Sequence, residues 1–214
     1  MGNPLISHIV VSVFLSVCMA IFFIINIHNI IGGTRGRGVG KAYAEVEPPD
    51  GLLFSMAAFS TMLFFVLSLF YVVLSLCNMM NGPILASMQL PNSELFRGMG
   101  IILTAMGYTL HVSSVIVRGR YSVSWAMPED HKLIVTGPYR YIRHPSYMGY
   151  FLMFIGLSMI WLNILSFPPL IGIAGYVRVT EVEEQLLMKR FGTEYEVYRE
   201  KTGRFFPKAF KGRT

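Results

Sequence analysis

The protein has 214 residues, of which 53% are hydrophobic and only 14% are charged. Water-soluble domains carry about 25% charged residues, so the composition excludes an ordinary soluble domain and indicates a membrane protein. The two cysteines are too few for a disulfide framework or a cysteine-based metal centre, and no metal is expected.

Apolar blocks follow one another along the chain. Residues 5–31 and 51–80 are each long enough for a transmembrane helix, which needs about 20 residues. Residues 95–117 form a third block. Residues 147–177 form a fourth, which is interrupted by a Phe-Pro-Pro sequence at 167–169. The interruption predicts a helical hairpin of two shorter helices, because proline cannot continue a helix from within.

The basic residues lie on one side of this pattern. Of the 18 Lys and Arg, all except Arg97 fall in the first loop, before the hairpin or after it. The positive-inside rule assigns these three segments to the cytoplasm and the amino terminus to the outside. This placement explains the net charge of +6 without nucleic acid, and membrane lipids with anionic headgroups are the expected partners.

The fold expected is therefore all-α: a polytopic membrane protein with about five transmembrane helices and a cytoplasmic carboxyl terminus. Residues 1–117 contain the first three helices and a cytoplasmic loop at 32–50. Residues 118–214 contain nearly all of the remaining polar sequence. Close helix packing is predicted at small residues, namely Gly98, Gly100, Gly107, Gly149 and Gly156.

A dense polar cluster, HKLIVTGPYRYIRHPSY, occupies residues 131–147. Gly137 and Pro138 predict a turn, and Pro145 predicts the first position of the next helix. Arg143 and His144 then lie at the mouth of that helix, where free backbone N–H groups attract anions. An alternative interpretation is a belt of arginine and tyrosine at the membrane interface.

A second polar cluster, residues 178–207, faces the same compartment. Its apolar stripe predicts an amphipathic helix that ends at Gly192. Glu181, Glu183 and Glu184 are expected at the start of this helix, where acidic side chains are favourable. A carboxylate at the membrane edge is also suited to hold a cationic ligand.

The two clusters together resemble the isoprenylcysteine carboxyl methyltransferase family, through HKLIVTGPYRYIRHPSY and EEQLLMKRFGTEYEVY. The family consists of integral membrane enzymes that use S-adenosylmethionine, and the similarity covers about residues 119–208. Related patterns occur in phospholipid methyltransferases and, more distantly, in sterol reductases. The resemblance implies that residues 118–214 form the catalytic region, with a cofactor pocket that faces the cytoplasm.

The resemblance also implies roles for single residues. Glu183 matches a family acid that contacts S-adenosylmethionine. The family has an arginine four residues earlier, where this chain has Val179; Arg178 is the nearest candidate, and Arg143 is the second. Arg178 and Glu183 are the predicted catalytic residues. The predicted cofactor-binding residues are His131, Lys132, Leu133, Ile134, Gly137, Tyr139, Arg143, His144, Pro145, Ser146, Tyr147, Glu183 and Glu184.

The function implied is methyl esterification of the carboxylate of a prenylcysteine-like or other lipophilic substrate. A carboxylate is already ionised at neutral pH, so direct displacement needs no general base. The expected partners are a lipophilic small molecule or a prenylated substrate. Methylation of an amine headgroup, NADPH-dependent sterol reduction and a non-enzymatic membrane scaffold are the alternatives.

Overall fold

A computed structural model describes residues 7–35, 51–80, 88, 90–121 and 131–208. Within these ranges the chain is helical and contains no β-strand, which confirms the all-α prediction; an isolated bridge joins Ile142 and Gly203. The basic residues Arg37 and Lys41 of the predicted first loop lie outside the described residues. The helices are α1 (His8–Arg35), α2 (Gly51–Leu76), α3 (Ser93–Arg118), α4 (Pro145–Trp161), α5 (Gly172–Phe191) and α6 (Thr193–Lys201).

Three of these helices, α1 to α3, are long and apolar enough to cross a membrane. Many of their large apolar side chains point outward, such as Ile24 of α1 and Phe59 of α2. An outward apolar surface suits contact with lipid. Lipid tails are themselves apolar, so exposing these side chains to them has no hydrophobic cost. The fourth apolar helix, α4, has 17 residues, so the full count of about five spans stays a prediction.

Helices α3 and α4 pack closely through small residues. A Cβ atom added to Gly107 would lie 2.6 Å from the carbonyl oxygen of Gly149, and one added to Gly100 would lie 2.7 Å from that of Gly156. The helix backbones therefore approach more closely than any larger residue allows, as predicted for these four glycines. The prediction was wrong for Gly98, since no atom of the described residues lies within 4 Å of its Cβ position.

The predicted break between the last two apolar helices is present. Helix α4 ends at Trp161, two 3₁₀ turns follow at Ile164–Ser166 and Pro168–Ile171, and α5 begins at Gly172. The two helices of this hairpin pack mainly against other helices, α4 against α3 and α5 against α2. A Cβ atom at Gly175 of α5 would lie 2.7 Å from the carbonyl oxygen of Leu53 in α2.

The expectation that Glu181, Glu183 and Glu184 start a helix was wrong. Helix α5 runs without interruption from Gly172 to Phe191, so the glutamates lie in its second half. No proline separates the apolar stretch that follows the hairpin turn from the amphipathic stretch after it, and the two form one helix. The dipole of the helix amino terminus therefore does not account for these acids, because its effect is confined to the first turn.

The chain beyond α5 folds back onto the loop that precedes α4. Gly192, with φ of 50°, ends α5 as predicted. After α6, the backbone runs beside residues 142–144: the Arg143 N–H donates to the carbonyl oxygen of Gly203 at 2.9 Å, and the His144 N–H donates to that of Arg204 at 3.1 Å. The polar clusters before α4 and after α5 are thereby joined.

Candidate active site

A cavity opens where the end of α3, the loop before α4, the second half of α5 and α6 meet. It has a volume of about 680 Å³ including its open mouth. Eight residues of the predicted site line it: His131, Leu133, Ile134, Tyr139, Arg143, His144, Ser146 and Glu183. The remaining lining residues are Arg118, Tyr121, Leu187, Tyr195 and Tyr198.

Glu183 places its carboxylate at the wall of this cavity. The Tyr147 hydroxyl donates a hydrogen bond to Oε1 at 2.6 Å, and Nδ1 of His144 lies 3.4 Å from Oε2. Burial opposes ionisation, but the contacts with His144 and Tyr147 outweigh it and lower the pKa of Glu183 below its ordinary value. Glu183 is therefore an ionised, oriented acceptor with lone pairs left for a ligand.

Glu184 lies next to Glu183 but makes a different set of contacts. Its Oε1 accepts from Nε of Arg143 at 2.9 Å and lies 3.2 Å from Nε2 of His144, while Oε2 accepts from Nη2 of Arg204 at 3.2 Å. Burial again opposes ionisation, but these contacts lower the pKa of Glu184. Glu184 does not line the cavity; it ties together three cationic side chains behind the wall.

The His144 imidazole lies between the two carboxylates. Each ring nitrogen faces a different carboxylate, Nδ1 facing Glu183 and Nε2 facing Glu184. Only the doubly protonated ring can donate from both nitrogens. Burial favours the neutral ring, but the two carboxylates outweigh it and raise the pKa of His144. His144 is thus held as an imidazolium at the cavity wall.

The backbone around these side chains is fixed by α6 and the segment after it. The Tyr198 hydroxyl donates to the carbonyl oxygen of Tyr139 at 2.7 Å, and the Arg143 guanidinium donates to the carbonyl oxygen of Thr202. Pro145 occupies the first position of α4, as predicted. The carboxyl-terminal residues therefore position the cavity wall.

The other predicted residues lie outside the cavity lining. Arg178 points away: 62% of its side chain is exposed, and it pairs with Glu181 at 2.9 Å. Val179, at the position of the family arginine, is buried. Lys132 is exposed. Pro145 and Tyr147 adjoin the wall at the start of α4. Gly137 contacts the Val117 side chain, and a Cβ atom added to Gly137 would lie 2.8 Å from that side chain.

Sequence analysis did not identify Arg118 or the tyrosines of α6 as site residues. Arg118 is the last residue of α3, and its guanidinium carbon lies 6.0 Å from the centre of the Tyr139 ring. Tyr195 and Tyr198 are buried despite the polar sequence around them. Their spacing of three residues, which puts both rings on one face of a helix, was the available signal.

The chain is similar to known methyltransferases. The phospholipid methyltransferase family model matches residues 96–194. Protein-S-isoprenylcysteine O-methyltransferase from Tribolium castaneum is 30% identical over 50% of this chain and 40% of its own length. The enzymes of that name from Schizosaccharomyces pombe and Saccharomyces cerevisiae are 34% and 33% identical, over 45% and 52% of this chain and 43% and 48% of their own.

The chain spans less than half the length of each of these three relatives. A solved structure of a eukaryotic intramembrane Ras methyltransferase, an isoprenylcysteine carboxyl methyltransferase, aligns with 76% of this chain and 54% of its own, with 24% identity and a TM-score of 0.47. The family model covers the first polar cluster, the helices α4 and α5, and the second polar cluster as far as residue 194. These sequence matches confirm the predicted resemblance: over about half of its length the chain is similar to the protein-S-isoprenylcysteine O-methyltransferases.

Proposed function

We propose that the protein is a membrane methyltransferase that uses S-adenosylmethionine and esterifies the carboxylate of a lipophilic acceptor. The observation that carries this proposal is Glu183, an ionised carboxylate held by Tyr147 and His144 at the wall of a cavity, beside a helix long and apolar enough to cross a membrane. The names of the matched relatives point to the same activity.

The residues of the cavity suit S-adenosylmethionine. The Glu183 carboxylate is suited to accept from the cofactor's ammonium or from its ribose hydroxyls. The rings of Tyr139 and Tyr195 offer faces that favour a cation, and Leu133 and Leu187 offer an apolar surface for the adenine. When bound, S-adenosylmethionine supplies an electrophilic methyl group.

The protonation states favour a carboxylate acceptor over an amine. An amine must lose a proton before it attacks, so it needs a base. His144 is held as an imidazolium by two carboxylates, and Glu183 has a lowered pKa, so neither group is tuned to take a proton near pH 7. A carboxylate acceptor is ionised already, and the chain need only position it and shield it from water.

The position of the cavity favours a lipophilic substrate. Its wall includes the last residue of α3, a helix long and apolar enough to cross a membrane. A ligand whose tail lies among the helices and whose polar end reaches the cavity fits this arrangement. With the basic segments in the cytoplasm, the cavity faces that side, and a prenylated protein or a small prenylated cysteine is the proposed acceptor.

Binding and turnover assays test the proposal. The protein in detergent is titrated with S-adenosylmethionine and, separately, with NADPH by calorimetry, and it is then incubated with N-acetyl-S-farnesylcysteine and a radiolabelled methyl donor. We expect binding of S-adenosylmethionine and a base-labile methyl ester. Binding of NADPH without S-adenosylmethionine would refute the proposal.

Variants of the wall supply the internal control. Glu183→Gln and Tyr147→Phe are expected to weaken S-adenosylmethionine binding at least 10-fold. The first removes the negative charge of the carboxylate, and the second removes the hydrogen bond that orients it. Glu200→Gln changes an exposed glutamate of α6 and is expected to bind normally. Equal affinities in all three variants would show that Glu183 does not take part in binding S-adenosylmethionine.

Amine methylation is the second candidate, since the matching family model is that of the phospholipid methyltransferases. Vesicles that contain phosphatidylethanolamine, offered with the same labelled donor, distinguish the two reactions. A base-stable methylated lipid would favour the amine acceptor, and a base-labile ester from the farnesylated cysteine would favour the carboxylate.

A further inference from the structure

Arg118 brings a positive charge to the cavity from a helix that the two polar clusters do not include. It ends α3 and lines the cavity. Its Nε is buried and, among the described residues, has no hydrogen-bond partner. Its guanidinium carbon lies 6.0 Å from the centre of the Tyr139 ring, which is at the outer limit of a cation–π contact.

Two neighbouring cations, Arg143 and Arg204, each pair with a carboxylate, whereas within the described part of the chain Arg118 forms no such pair. Arg143 lies 2.9 Å from Glu184, and Arg204 lies 3.2 Å from the same side chain. Among the described residues, the carboxylate whose charge acts on Arg118 is that of Glu183. Both oxygens of Glu183 are already engaged, by Tyr147 and His144.

A buried N–H group without a hydrogen-bond partner, such as Nε of Arg118, is unfavourable because its lost hydration is not replaced. A negatively charged ligand in the cavity supplies the missing partner. The planar guanidinium suits a carboxylate in particular, because two parallel N–H groups can bind its two oxygens.

We propose that Arg118 is the carboxylate-binding residue of this cavity. The proposal rests on the proposed function, and it gives to Arg118 the role that sequence analysis gave to Arg178. Arg178 is exposed and paired with Glu181, and Val179 beside it is buried and apolar. The positive charge at the cavity therefore comes from Arg118 at the end of α3, because Arg178 of α5 points away from the cavity.

The carboxylate has two possible sources with the same chemistry. One is the amino-acid end of S-adenosylmethionine, and the other is the carboxylate of the methyl acceptor. In the first case Arg118 positions the methyl donor. In the second case it holds the nucleophile and neutralises part of its charge.

The test compares ligands that differ only in this group. Arg118→Met, Arg118→Lys and the wild type are titrated with S-adenosylmethionine and with decarboxylated S-adenosylmethionine, and kcat/KM is measured for N-acetyl-S-farnesylcysteine. The carboxamide of that acceptor is measured as a competitive inhibitor. Arg140→Met is the matched control, because Arg140 is exposed and outside the cavity lining.

If Arg118 binds the cofactor, Arg118→Met weakens S-adenosylmethionine about 30-fold, the scale expected for a buried charge pair, and leaves decarboxylated S-adenosylmethionine within about 3-fold. If it binds the acceptor, cofactor affinity is unchanged, kcat/KM falls by a similar factor, and inhibition by the carboxamide is unaffected. Arg118→Lys should recover part of either loss, since it keeps the charge but not the planar fork.

The proposal is overturned if Arg118→Met affects ligands with and without the carboxylate equally, or affects none of them. Should Arg118→Met fail to fold, the same comparison with Arg118→Lys decides, because a pattern independent of the carboxylate again contradicts the proposal. A wild type that binds no S-adenosylmethionine and methylates no acceptor refutes the proposed function instead, and the role of Arg118 falls with it.

Discussion

His144 joins the two acidic side chains of α5 through opposite edges of one ring. Glu183 meets Nδ1 and Glu184 meets Nε2, so the protonated imidazole holds the cavity carboxylate on one side and the buried ion cluster on the other. The charge of one ring therefore affects both the orientation of Glu183 and the stability of the wall behind it.

This arrangement predicts a stability that declines in alkaline solution. The folded pKa of His144 is raised above 6.5, so its contribution is complete below about pH 6.5 and is lost as the pH rises through the raised value. The folded pKa values of Glu183 and Glu184 are lowered below 4.5. Their contributions are complete above about pH 4.5 and are lost only in stronger acid.

Thermal unfolding in detergent from about pH 5 to about pH 9 measures this pH dependence of the stability. The wild-type Tm is expected to fall toward the alkaline end. His144→Gln is less stable at low pH, but its Tm should change less with pH, because the titrating ring is gone. Parallel curves for the two proteins would contradict the assigned charge of His144.

The two neighbouring glutamates are expected to respond differently to the same substitution. Glu184→Gln leaves Arg143 and Arg204 without their shared carboxylate, and breaking a mostly buried pair costs about 3 kcal/mol or more. For a chain of this size that lowers Tm by roughly 10 °C. Glu183→Gln should lower Tm less and S-adenosylmethionine affinity more. The reverse order in paired Tm and calorimetric measurements would mean that the two roles are exchanged.

The positions of residues were predictable where the motif itself fixes the geometry. Pro145 fixes the helix start, so Arg143, His144 and Tyr147 could be placed together from sequence. Arg118 could not be found in this way, because it is far along the chain from Glu183 and meets the cavity only through the packing of α3 on α4. Arg178 is close to Glu183 in sequence, but the helix that contains both residues places them on different faces.

At the scale of elements, α3 and α4 depend on glycine at their contact. The carbonyl oxygen of Gly149 would lie 2.6 Å from a Cβ at Gly107, and that of Gly107 would lie 2.8 Å from a Cβ at Gly149. Both obstacles are backbone atoms, so a whole helix must shift to admit a methyl group. The site depends on this contact, because α3 carries Arg118 and α4 carries Tyr147.

Gly107→Ala is therefore expected to lower the free energy of unfolding by about 1–3 kcal/mol, the usual scale of overpacking. Gly98→Ala in the same helix is the matched control. In the part of the chain that the structure describes, a Cβ at Gly98 meets nothing within 4 Å, so alanine should be neutral or slightly stabilising through its better helix propensity. Thermal shift of both variants measures the difference, and equal losses would contradict a specific helix contact.

Elements were predictable where a strong local signal ends them. The proline pair breaks the last apolar block, and Gly192 ends α5. The start of the amphipathic helix was not predictable, because a change in composition from apolar to charged does not mark a helix boundary. Helix propensity is nearly the same for leucine, glutamate, lysine and arginine, so a helix can cross from lipid to water without interruption.

At the scale of the whole molecule, the distribution of basic residues predicts the sidedness of the chain. With the amino terminus outside, Cys77, which follows α2 and is exposed, lies on the outer side. Lys201, at the end of α6, lies in the cytoplasm. A membrane-impermeant maleimide should then label Cys77 only from outside, and should label Lys201→Cys in a Cys77→Ser background only from the cytoplasmic side. The opposite pattern would reverse the assigned orientation.

Helix α5 is one unbroken helix from its contact with α2 at Gly175 to the cavity wall at Glu183. In such a helix each added residue turns everything beyond it by about 100°. A single insertion between these points would leave two good half-helices but would carry both glutamates away from His144. The number of residues between Gly175, where α5 contacts α2, and Glu183 at the cavity is therefore as strictly constrained as the identity of those residues. Length differences among homologous chains are expected in the loops and not within this stretch.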